Sequence, residues 1–316
     1  MRGNRVGQKE AVWSGGIRAK SEGQCEQVLF CAEHVSAGYG GKRIVQGASF
    51  ALMPGTLTGL LGVNGCGKTT LLKAICQRIP HTGSCLLRVK CREDIQPKGL
   101  RSAMQRAETA AQPEALYHSL EGMTTRSLAR SVSYIPQKSG ISISISVLET
   151  VLMGFNPGLG LLEKPSRSQR LRAVYALEQV GLEQLAEQDF LTLSEGQKQL
   201  VLLARTLIED TQLLLLDEPD SALDLPNRYR IMSQIRALVE GTEKAGLLCL
   251  HDPMLALEFC DQLLLMQSGC ILQSVHPKKD LPQELENALR QIYGPLEVEC
   301  CKDGRDRRRL VLLWEF

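Results

Sequence analysis

The chain has 316 residues, is 43% hydrophobic and carries a formal net charge of +2. This apolar content supports one large domain or two modest ones, and the near-neutral balance excludes the one-sided basic charge of a nucleic-acid coat protein. Aromatic residues make up only 4% of the chain, which argues against a base-stacking surface. We therefore expect no nucleic-acid partner.

The N-terminal residues and the apolar runs bear on targeting. Met1–Glu10 contain no apolar core of the kind that a secretory signal needs. The longest unbroken apolar runs, Leu200–Ala204 and Leu310–Trp314, stop at five residues, whereas a membrane-spanning helix needs about 20. We expect a protein that is soluble or lies on a membrane surface. Eleven cysteines without a C-x-x-C pattern are typical of reduced, mostly buried thiols rather than a disulfide framework.

The first part of the chain predicts an extension followed by the opening of an α/β unit. Residues 1–27 are polar and without period, which predicts a poorly ordered N-terminal extension. The next segments predict strands at Val28–Cys31, Arg43–Leu52 and Thr56–Gly62, then a helix at Lys68–Gln77. Strand, glycine-rich loop and helix in this order favour nucleotide binding.

The loop between the third strand and the helix matches the phosphate-binding pattern G-x-x-x-x-G-K-[ST] at Gly62–Thr69. Its glycines let backbone N–H groups turn toward phosphate oxygens, and the following helix directs its positive end at the same anion. Lys68 would reach the β- and γ-phosphates, and Thr69 would offer its hydroxyl to Mg²⁺. The predicted nucleotide contacts are Gly62, Asn64, Gly65, Cys66, Gly67, Lys68, Thr69 and Thr70.

Two plainer alternatives accompany this loop. It could be an ordinary glycine turn before a helix, but its position between an apolar strand and a helix favours phosphate binding. Cys66 lies near a helix N-terminus, where thiol pKa values fall, so it could be redox-active. We favour the simpler interpretation that Cys66 is a small residue that fits the loop.

The middle of the chain predicts an insertion and then helices. Residues 86–120 have interspersed charges and read as a solvated insertion. A strand follows at Ser131–Ile135, and helices are predicted at about 146–155, 168–180 and 195–209. In the second helix Leu171, Val174, Leu177 and Val180 recur at helical spacing, which supports the helix prediction.

Three short apolar runs predict strands covered on both faces of a parallel sheet, at Gln212–Leu216, Ala245–Leu250 and Gln262–Met266. The first delivers Asp217 and Glu218 at its carboxyl end, where open α/β sheets place ligands. Because neighbouring strand residues point to opposite sides, the two acids should differ in role. Asp217 would hold Mg²⁺, and Glu218 would orient or deprotonate an attacking water. An ordinary acidic exit from a strand is the alternative.

Residues 276–316 predict a tail. Leu281–Ile292 looks helical, and strand-like segments at Leu296–Cys300 and Arg309–Trp314 flank a turn at Lys302–Gly304. No internal repeat is present, which favours one motor domain rather than a tandem pair.

The motifs together resemble the ATPase subunits of ABC transporters. That family carries six motifs in a fixed order, and this chain has all six in that order: the phosphate loop Gly62–Thr69; the glutamine loop with Gln137; the signature Leu193–Gln197; the acidic strand Leu213–Glu218; the D-loop Ser221–Asp224; and the switch histidine His251. The resemblance covers about residues 28–275. It implies an α/β P-loop NTPase fold, with a RecA-like mixed sheet core, an antiparallel β subdomain and an ABC α-helical subdomain at about 138–209.

The resemblance also implies roles for single residues. Gln137 would sense Mg²⁺ and the attacking water at the joint with the helical subdomain, and His251 would contact the γ-phosphate. A lone His at a strand end is more often structural, but its place after the acidic strand reverses that weighting. Tyr39 would stack on adenine, and Asp224 would lie at a dimer interface.

The signature Leu193–Gln197 implies that two copies of the chain are needed. Ser194 and Gln197 are spaced as a capping box, so plain helix initiation is the alternative. In the family, this capped N-terminus, with Gly196, faces the γ-phosphate held by the other protomer. Glu195 stands where the family usually has glycine, and a carboxylate beside a triphosphate should repel it unless it points away.

Three short segments indicate which group of ABC transporter ATPases the chain resembles. Met123–Gln137, Val151–Gly154 and Ile292–Gly294 look like importer ATPases for iron-siderophores, haem and cobalamin, although Phe155–Gly158 replaces a motif frequent in that group. Such a subunit would bind ATP and Mg²⁺, sit peripherally on the cytoplasmic face of the cell membrane, drive a separate permease and depend on a substrate-binding protein. Alternatives are import of another metal or small molecule, a non-transport ABC ATPase acting on nucleic acid or in assembly, and a nucleotide switch without turnover.

Overall fold

The computed structural model describes residues 28–88, 117–160 and 162–314. The predicted extension at 1–27 lies outside these residues. The two ends of the predicted insertion at 86–120 lie in strands that pair with each other, Arg88 with Tyr117, and residues 89–116 between them lie outside the described part.

The main sheet has six strands in the order β10-β9-β3-β8-β7-β6. Their bounds are β3 Leu57–Leu61, β6 Val132–Ile135, β7 Leu213–Asp217, β8 Ala245–Cys249, β9 Gln262–Gln267 and β10 Cys270–Val275. All neighbouring pairs are parallel except β9 with the edge strand β10. Every residue of β3, β7 and β8 is buried, as expected for parallel strands covered on both faces. The predicted mixed sheet is therefore confirmed.

A second, antiparallel sheet has the order β2-β1-β4-β5. Its strands are β1 Phe30–Tyr39, β2 Lys42–Leu52, β4 His81–Arg88 and β5 Tyr117–Ser119. It confirms the antiparallel subdomain. β1 is longer than the predicted segment Val28–Cys31, because it continues through bulges opposite β2 and β4.

Eight α-helices lie in the described residues. They are α1 Lys68–Ile75, α2 Thr125–Ser131, α3 Val147–Leu152, α4 Arg167–Val180, α5 Glu195–Ile208, α6 Leu225–Val239, α7 Pro253–Phe259 and α8 Pro282–Tyr293. The predicted helix at 146–155 is an α-helix only to Leu152 and ends in a 3₁₀ turn, Met153–Phe155. Sequence patterning did not reveal α2, α6 and α7.

The predicted helix at 168–180 is confirmed as α4, but its four apolar residues at helical spacing are not all buried. Leu177 and Val180 are buried, but Leu171 is 64% exposed and Val174 is 39% exposed. The face that packs against α3 and α5 contains Ala173 and Ala176 instead. Small alanines let neighbouring helices approach closely, and they attract less notice in a sequence than leucine or valine.

The last described part of the chain forms a helix and a hairpin. The buried stripe of α8 is Leu285, Ala288, Leu289 and Ile292. β11 Leu296–Lys302 pairs antiparallel with β12 Arg308–Trp314, so the turn spans Asp303–Arg307 rather than Lys302–Gly304. Asp303 Oδ1 closes this turn by accepting from the backbone N–H groups of Arg305 and Arg307 at 2.9 and 3.0 Å.

Two further findings concern the described residues. None of their helices combines the length and apolarity that crossing a bilayer requires. Six of their cysteines are buried, namely Cys31, Cys66, Cys76, Cys85, Cys249 and Cys260, and no disulfide joins two cysteines of the described part.

Replacing Gly83 with alanine should destabilise the antiparallel sheet. Gly83 has φ +93°, and a Cβ there would lie 2.5 Å from the Glu33 carbonyl oxygen. We expect Gly83→Ala to lower the free energy of unfolding by about 2 kcal/mol or more, because strain and a backbone clash add. Gly304→Ala is the control, since no atom lies within 4 Å of the position of its Cβ. Equal denaturation midpoints for the two variants would contradict this account.

Candidate active site

Four neighbouring strands of the main sheet end at one edge and carry the predicted motifs there. β3 leads into the glycine loop, β6 into Gln137, β7 into Asp217 and Glu218, and β8 into His251. Parallel pairing puts the carboxyl ends of neighbouring strands side by side, so motifs far apart in the chain meet.

The loop before α1 depends on its glycines. A Cβ on Gly62 would lie 2.2 Å from the Met266 carbonyl oxygen, so the loop packs directly on β9. Gly65 and Gly67 have φ of +79° and +113°, in the region that favours glycine. The Lys68 ammonium is buried and donates to the Gly62 carbonyl at 2.6 Å, folded back over the loop. Positive φ values turn backbone N–H groups inward, which is the geometry that binds phosphate.

Asp217 lies beside Thr69 beneath this loop. The Thr69 hydroxyl donates to Asp217 Oδ1 at 2.9 Å, and the Tyr134 hydroxyl lies 3.5 Å from Oδ2. Burial raises the pKa of Asp217, while hydrogen bonds from Thr69 and from the Cys249 thiol lower it. A hydroxyl and a carboxylate on adjacent elements are oxygen donors of the kind that Mg²⁺ takes, so this pair fits that ion.

Glu218 is held by two side chains from other elements. Gln137 Nε2 donates to its Oε2 at 2.5 Å, and His251 Nε2 is in close contact with Oε1. Glu218 has φ +52° and begins the turn after β7. The two acids therefore have separate partners. Glu218 lies beyond the last residue of β7 and has a left-handed backbone conformation, so strand alternation does not set its direction.

A cavity of about 390 Å³ opens above these groups. Its walls are formed by Ile44, Asn64, Gly65, Gly67, Lys68, Thr69, Thr70, Gln137, Glu218 and His251. Besides the signature and D-loop residues, three predicted nucleotide contacts are not on its wall, namely Tyr39, Gly62 and Cys66. Tyr39 is 47% exposed at the end of β1. The Cys66 thiol is buried near Gly62, and burial raises its pKa, which opposes a reactive thiolate.

The signature residues lie away from this cavity. Ser194 caps α5 through a capping box with Gln197, in which the Ser194 hydroxyl accepts from Gln197 N at 3.3 Å and Gln197 Oε1 accepts from Ser194 N at 3.0 Å. Gly196 packs on the D-loop, where a Cβ would lie 3.1 Å from the Ala222 carbonyl oxygen. Glu195 is exposed and pairs with Lys198 at 2.8 Å.

Asp224 lies at the end of the D-loop. It caps α6 by accepting from Asn227 N at 3.1 Å, and its side chain is not among those that form the cavity wall.

Gln199 is a site residue that sequence analysis missed. It is buried on α5, and its Nε2 donates to the Gln137 carbonyl at 2.5 Å. It thus ties the signature helix to the backbone of the glutamine loop. The sequence could have revealed Gln199, because it is an amide residue three and four positions before Leu202 and Leu203 and so lies on the apolar face of α5.

Comparison with known proteins decides the family. The family model described as ABC transporter matches residues 45–221, more than half of the chain. The chain belongs to the ABC transporter family. The ATP-binding subunits of this family are ATPases coupled to transport.

Relatives support the same assignment. A Helicobacter pylori protein named "Probable iron chelatin transport ATP-binding protein" is 33% identical over 235 residues, 74% of this chain and 82% of that protein. The hemin import ATP-binding protein of Bordetella bronchiseptica is 31% identical and covers 83% of this chain and 91% of its own length. A dimeric ATP-binding cassette solved in a post-hydrolysis state with ADP and phosphate has a TM-score of 0.63 at 19% identity, covering 79% of this chain and 99% of that one, which shows the shared fold.

Asp217→Asn should stabilise the nucleotide-free protein while abolishing hydrolysis. Since folding raises the pKa of Asp217, burying its charge opposes folding at pH 7, and that cost disappears as the pH falls through the folded-state pKa. We expect the unfolding temperature at pH 7 to rise by about 2 °C or more, with the gain over wild type shrinking toward pH 4. A lower unfolding temperature in calorimetry at pH 7 would contradict this.

Gln199→Met should slow ATP turnover and leave ATP binding nearly unchanged. The variant keeps the volume but leaves the Gln137 carbonyl without this donor, at a cost of about 1 kcal/mol or more, so kcat should fall about fivefold to tenfold. Gln179→Met, at an exposed position on α4, is the matched control. Equal turnover in both variants would remove Gln199 from the site.

Proposed function

We propose that this chain is the ATP-hydrolysing subunit of an ABC importer, acting as a homodimer on a separate permease at the cytoplasmic face of the cell membrane. The observation that carries the proposal is Glu218, held between Gln137 and His251 at the mouth of a glycine-lined cavity that contains Lys68. A carboxylate placed in this way serves hydrolysis and not nucleotide storage alone.

Each residue of the site has its own role in the proposed hydrolysis of ATP. Backbone N–H groups of the glycine loop and the Lys68 ammonium bind the β- and γ-phosphates. Thr69, Asp217 and the Gln137 amide oxygen would hold Mg²⁺, which would supply positive charge to stabilise the negative charge that develops on the phosphates. Glu218 orients the attacking water and accepts its proton, and His251 positions the γ-phosphate. Gln137 and His251 each contact one oxygen of Glu218, and each oxygen keeps a further acceptor site for the water.

The dimer explains the residues that are not on the chain's own cavity. The capped N-terminus of α5, with Ser194, Gly196 and Gln197, would meet the γ-phosphate bound by the partner. Asp224, at the end of the D-loop, would lie at the interface. Tyr39 would stack on adenine at the outer side of the loop. Glu195, paired with Lys198, is partly neutralised, which reduces its repulsion of the nucleotide.

A second groove supports coupling to a permease. It has a volume of about 350 Å³ and lies between the sheet and the helical part of the chain. Arg78 covers the ring of Tyr134 at 4.8 Å on one side, and Pro157 and Arg205 form the other. Tyr134 is three residues before Gln137, so a permease helix seated here would contact the strand that leads to the catalytic glutamine.

The most specific part of the proposal is the chemical class of the transported substrate. The relatives named above for iron chelatin and hemin support uptake of a metal chelate such as an iron-siderophore, haem or cobalamin, delivered by a substrate-binding protein. The same two relatives align over 82% and 91% of their own lengths. Another metal or small molecule is the alternative cargo.

Lys68→Ala and Glu218→Gln separate nucleotide binding from hydrolysis. Glu218→Gln should lose about a hundredfold or more in turnover but accumulate a dimer when MgATP is added, because binding is retained and the base is lost. Lys68→Ala should neither hydrolyse ATP nor dimerise. Light scattering and phosphate release measure the two properties. Undiminished turnover in Lys68→Ala would overturn the proposal.

Cargo is tested in proteoliposomes. The chain is reconstituted with the permease that co-purifies from its source membranes, and uptake of ferric siderophore, haem and cobalamin is compared with and without ATP. We expect ATP-dependent uptake of at least one chelate, lost in Glu218→Gln. ATP hydrolysis without uptake of any of them would exclude the chelate assignment. A mobility shift of DNA that the chain causes, and that weakens as the salt concentration rises, would favour a non-transport ATPase.

A further inference from the structure

Three side chains that the ATP site does not use converge in the antiparallel sheet. His81 begins β4, Cys85 lies in the same strand, and Glu121 lies in the 3₁₀ turn Leu120–Gly122 that follows β5. The His81 imidazole nitrogen, the Cys85 sulfur and a Glu121 carboxylate oxygen all lie within 4.8 Å of one another. One imidazole, one thiol and one carboxylate form a donor set that could bind a metal ion.

The backbone brings the two β4 residues together in an unusual way. A regular strand places Cα atoms four residues apart at about 13 Å. Gly83, with φ +93°, interrupts β4 midway between His81 and Cys85. Glu121 then reaches both, because its Oε1 lies 3.1 Å from His81 Nε2 and accepts from the Cys85 backbone N–H at 2.8 Å.

A purely structural role explains only part of this cluster. The bond from Glu121 to His81 would by itself hold the turn against β4. It does not explain a fully buried Cys85 thiol placed against a carboxylate, which together with burial raises the pKa of that thiol. The His81 side chain is also almost fully buried, with 7% exposed, so the cluster is built into the sheet and not spread over a surface.

We propose that His81, Cys85 and Glu121 form a binding site for a divalent cation of the zinc class. Nitrogen and sulfur donors beside one carboxylate suit Zn²⁺ and disfavour Mg²⁺ and Ca²⁺, which take oxygen ligands. Three protein ligands leave a fourth position for water on the side where Glu121 is partly exposed. The ion fastens the turn Leu120–Gly122 to β4.

Binding requires a defined change of protons. The Cys85 thiol releases its proton to solvent and binds as the thiolate, and Glu121 binds as the carboxylate it already is. The proton that His81 Nε2 shares with Glu121 in the present contact is exchanged through solvent for one on Nδ1, which leaves the Nε2 lone pair free for the ion. The contact between His81 and Glu121 is then replaced by two bonds to the ion. Metal–ligand bonds of about 2.0–2.3 Å bring the donor atoms about 1 Å closer together than their widest present spacing.

Cobalt titration of the full chain without nucleotide tests the site. Co²⁺ substitutes for Zn²⁺ and gives a characteristic absorption band when a thiolate binds it. Co²⁺ held only by oxygen ligands at the ATP site does not give this thiolate band. We expect one Co²⁺ per chain with this band, displaced by Zn²⁺, and a higher unfolding temperature with Zn²⁺ present. Cys85→Ser should lose the band, and His81→Gln and Glu121→Gln should each weaken binding about tenfold or more.

The exposed pair Cys300 and Cys301 provides the control, since these thiols could bind Co²⁺ on their own. The double variant Cys300→Ser/Cys301→Ser should keep the band and the stoichiometry. Loss of the band in this variant, or its persistence in Cys85→Ser, would overturn the proposal. Glu121→Gln removes one ligand from the partly exposed turn and not from the core, so it keeps the test decisive if Cys85→Ser fails to fold.

Discussion

Hydrogen bonding between parallel strands β6, β7, β8 and β3 is the constraint on which the rest of this molecule depends. Each strand carries one part of the proposed catalytic site at its carboxyl end, and only the pairing of neighbours brings those parts within reach of one another. Strands made almost entirely of leucine, such as β7, can occupy this position because helices and the second sheet cover both faces. The hydrophobic core therefore sets the geometry of a site that is itself polar.

The site carries features that a sequence selected for stability alone would avoid. Asp217 is charged and buried, and its raised pKa reports the desolvation that opposes its ionisation. Glu218 adopts a left-handed backbone conformation that is unfavourable for a non-glycine residue. Lys68 is buried, with backbone carbonyls as its hydrogen-bond partners. Each of these costs is offset by the surrounding sheet and becomes useful when a charged phosphate and a cation enter the cavity.

One helix joins three parts of the proposed transport cycle. α5 presents the signature at its N-terminus, holds the glutamine loop through Gln199, and lines the second groove with Arg205. A rotation of α5 would therefore change the proposed dimer contact, the Gln137 backbone and the second groove together. This is a rigid element with packed contacts on each side, which is what coupling between distant sites needs. Each connection that α5 makes to these parts is a hydrogen bond or a packed surface.

Glycine-dependent loops and apolar strands could be predicted from the sequence because they depend on local chemistry. The spacing of glycine, lysine and threonine in Gly62–Thr69 predicts a phosphate loop wherever it follows a strand, and runs of leucine predict covered strands. The order of the six motifs along the chain then predicted membership of the ABC transporter family. The spacing of the larger apolar residues in α4 predicts the helix but not its buried face, because Ala173 and Ala176 are buried while Leu171 and Val174 are exposed.

Contacts between residues far apart in the chain could only be decided by the tertiary structure. The bond between Gln199 and Gln137 spans 62 positions, and the cluster of His81, Cys85 and Glu121 depends on a strand interruption and a turn that no local pattern announces. The sequence by itself determined which chemical groups the protein has and the local elements that carry them. The tertiary structure decided which of those groups meet, because strand order and helix packing arise from the burial of the whole chain and not from any one segment.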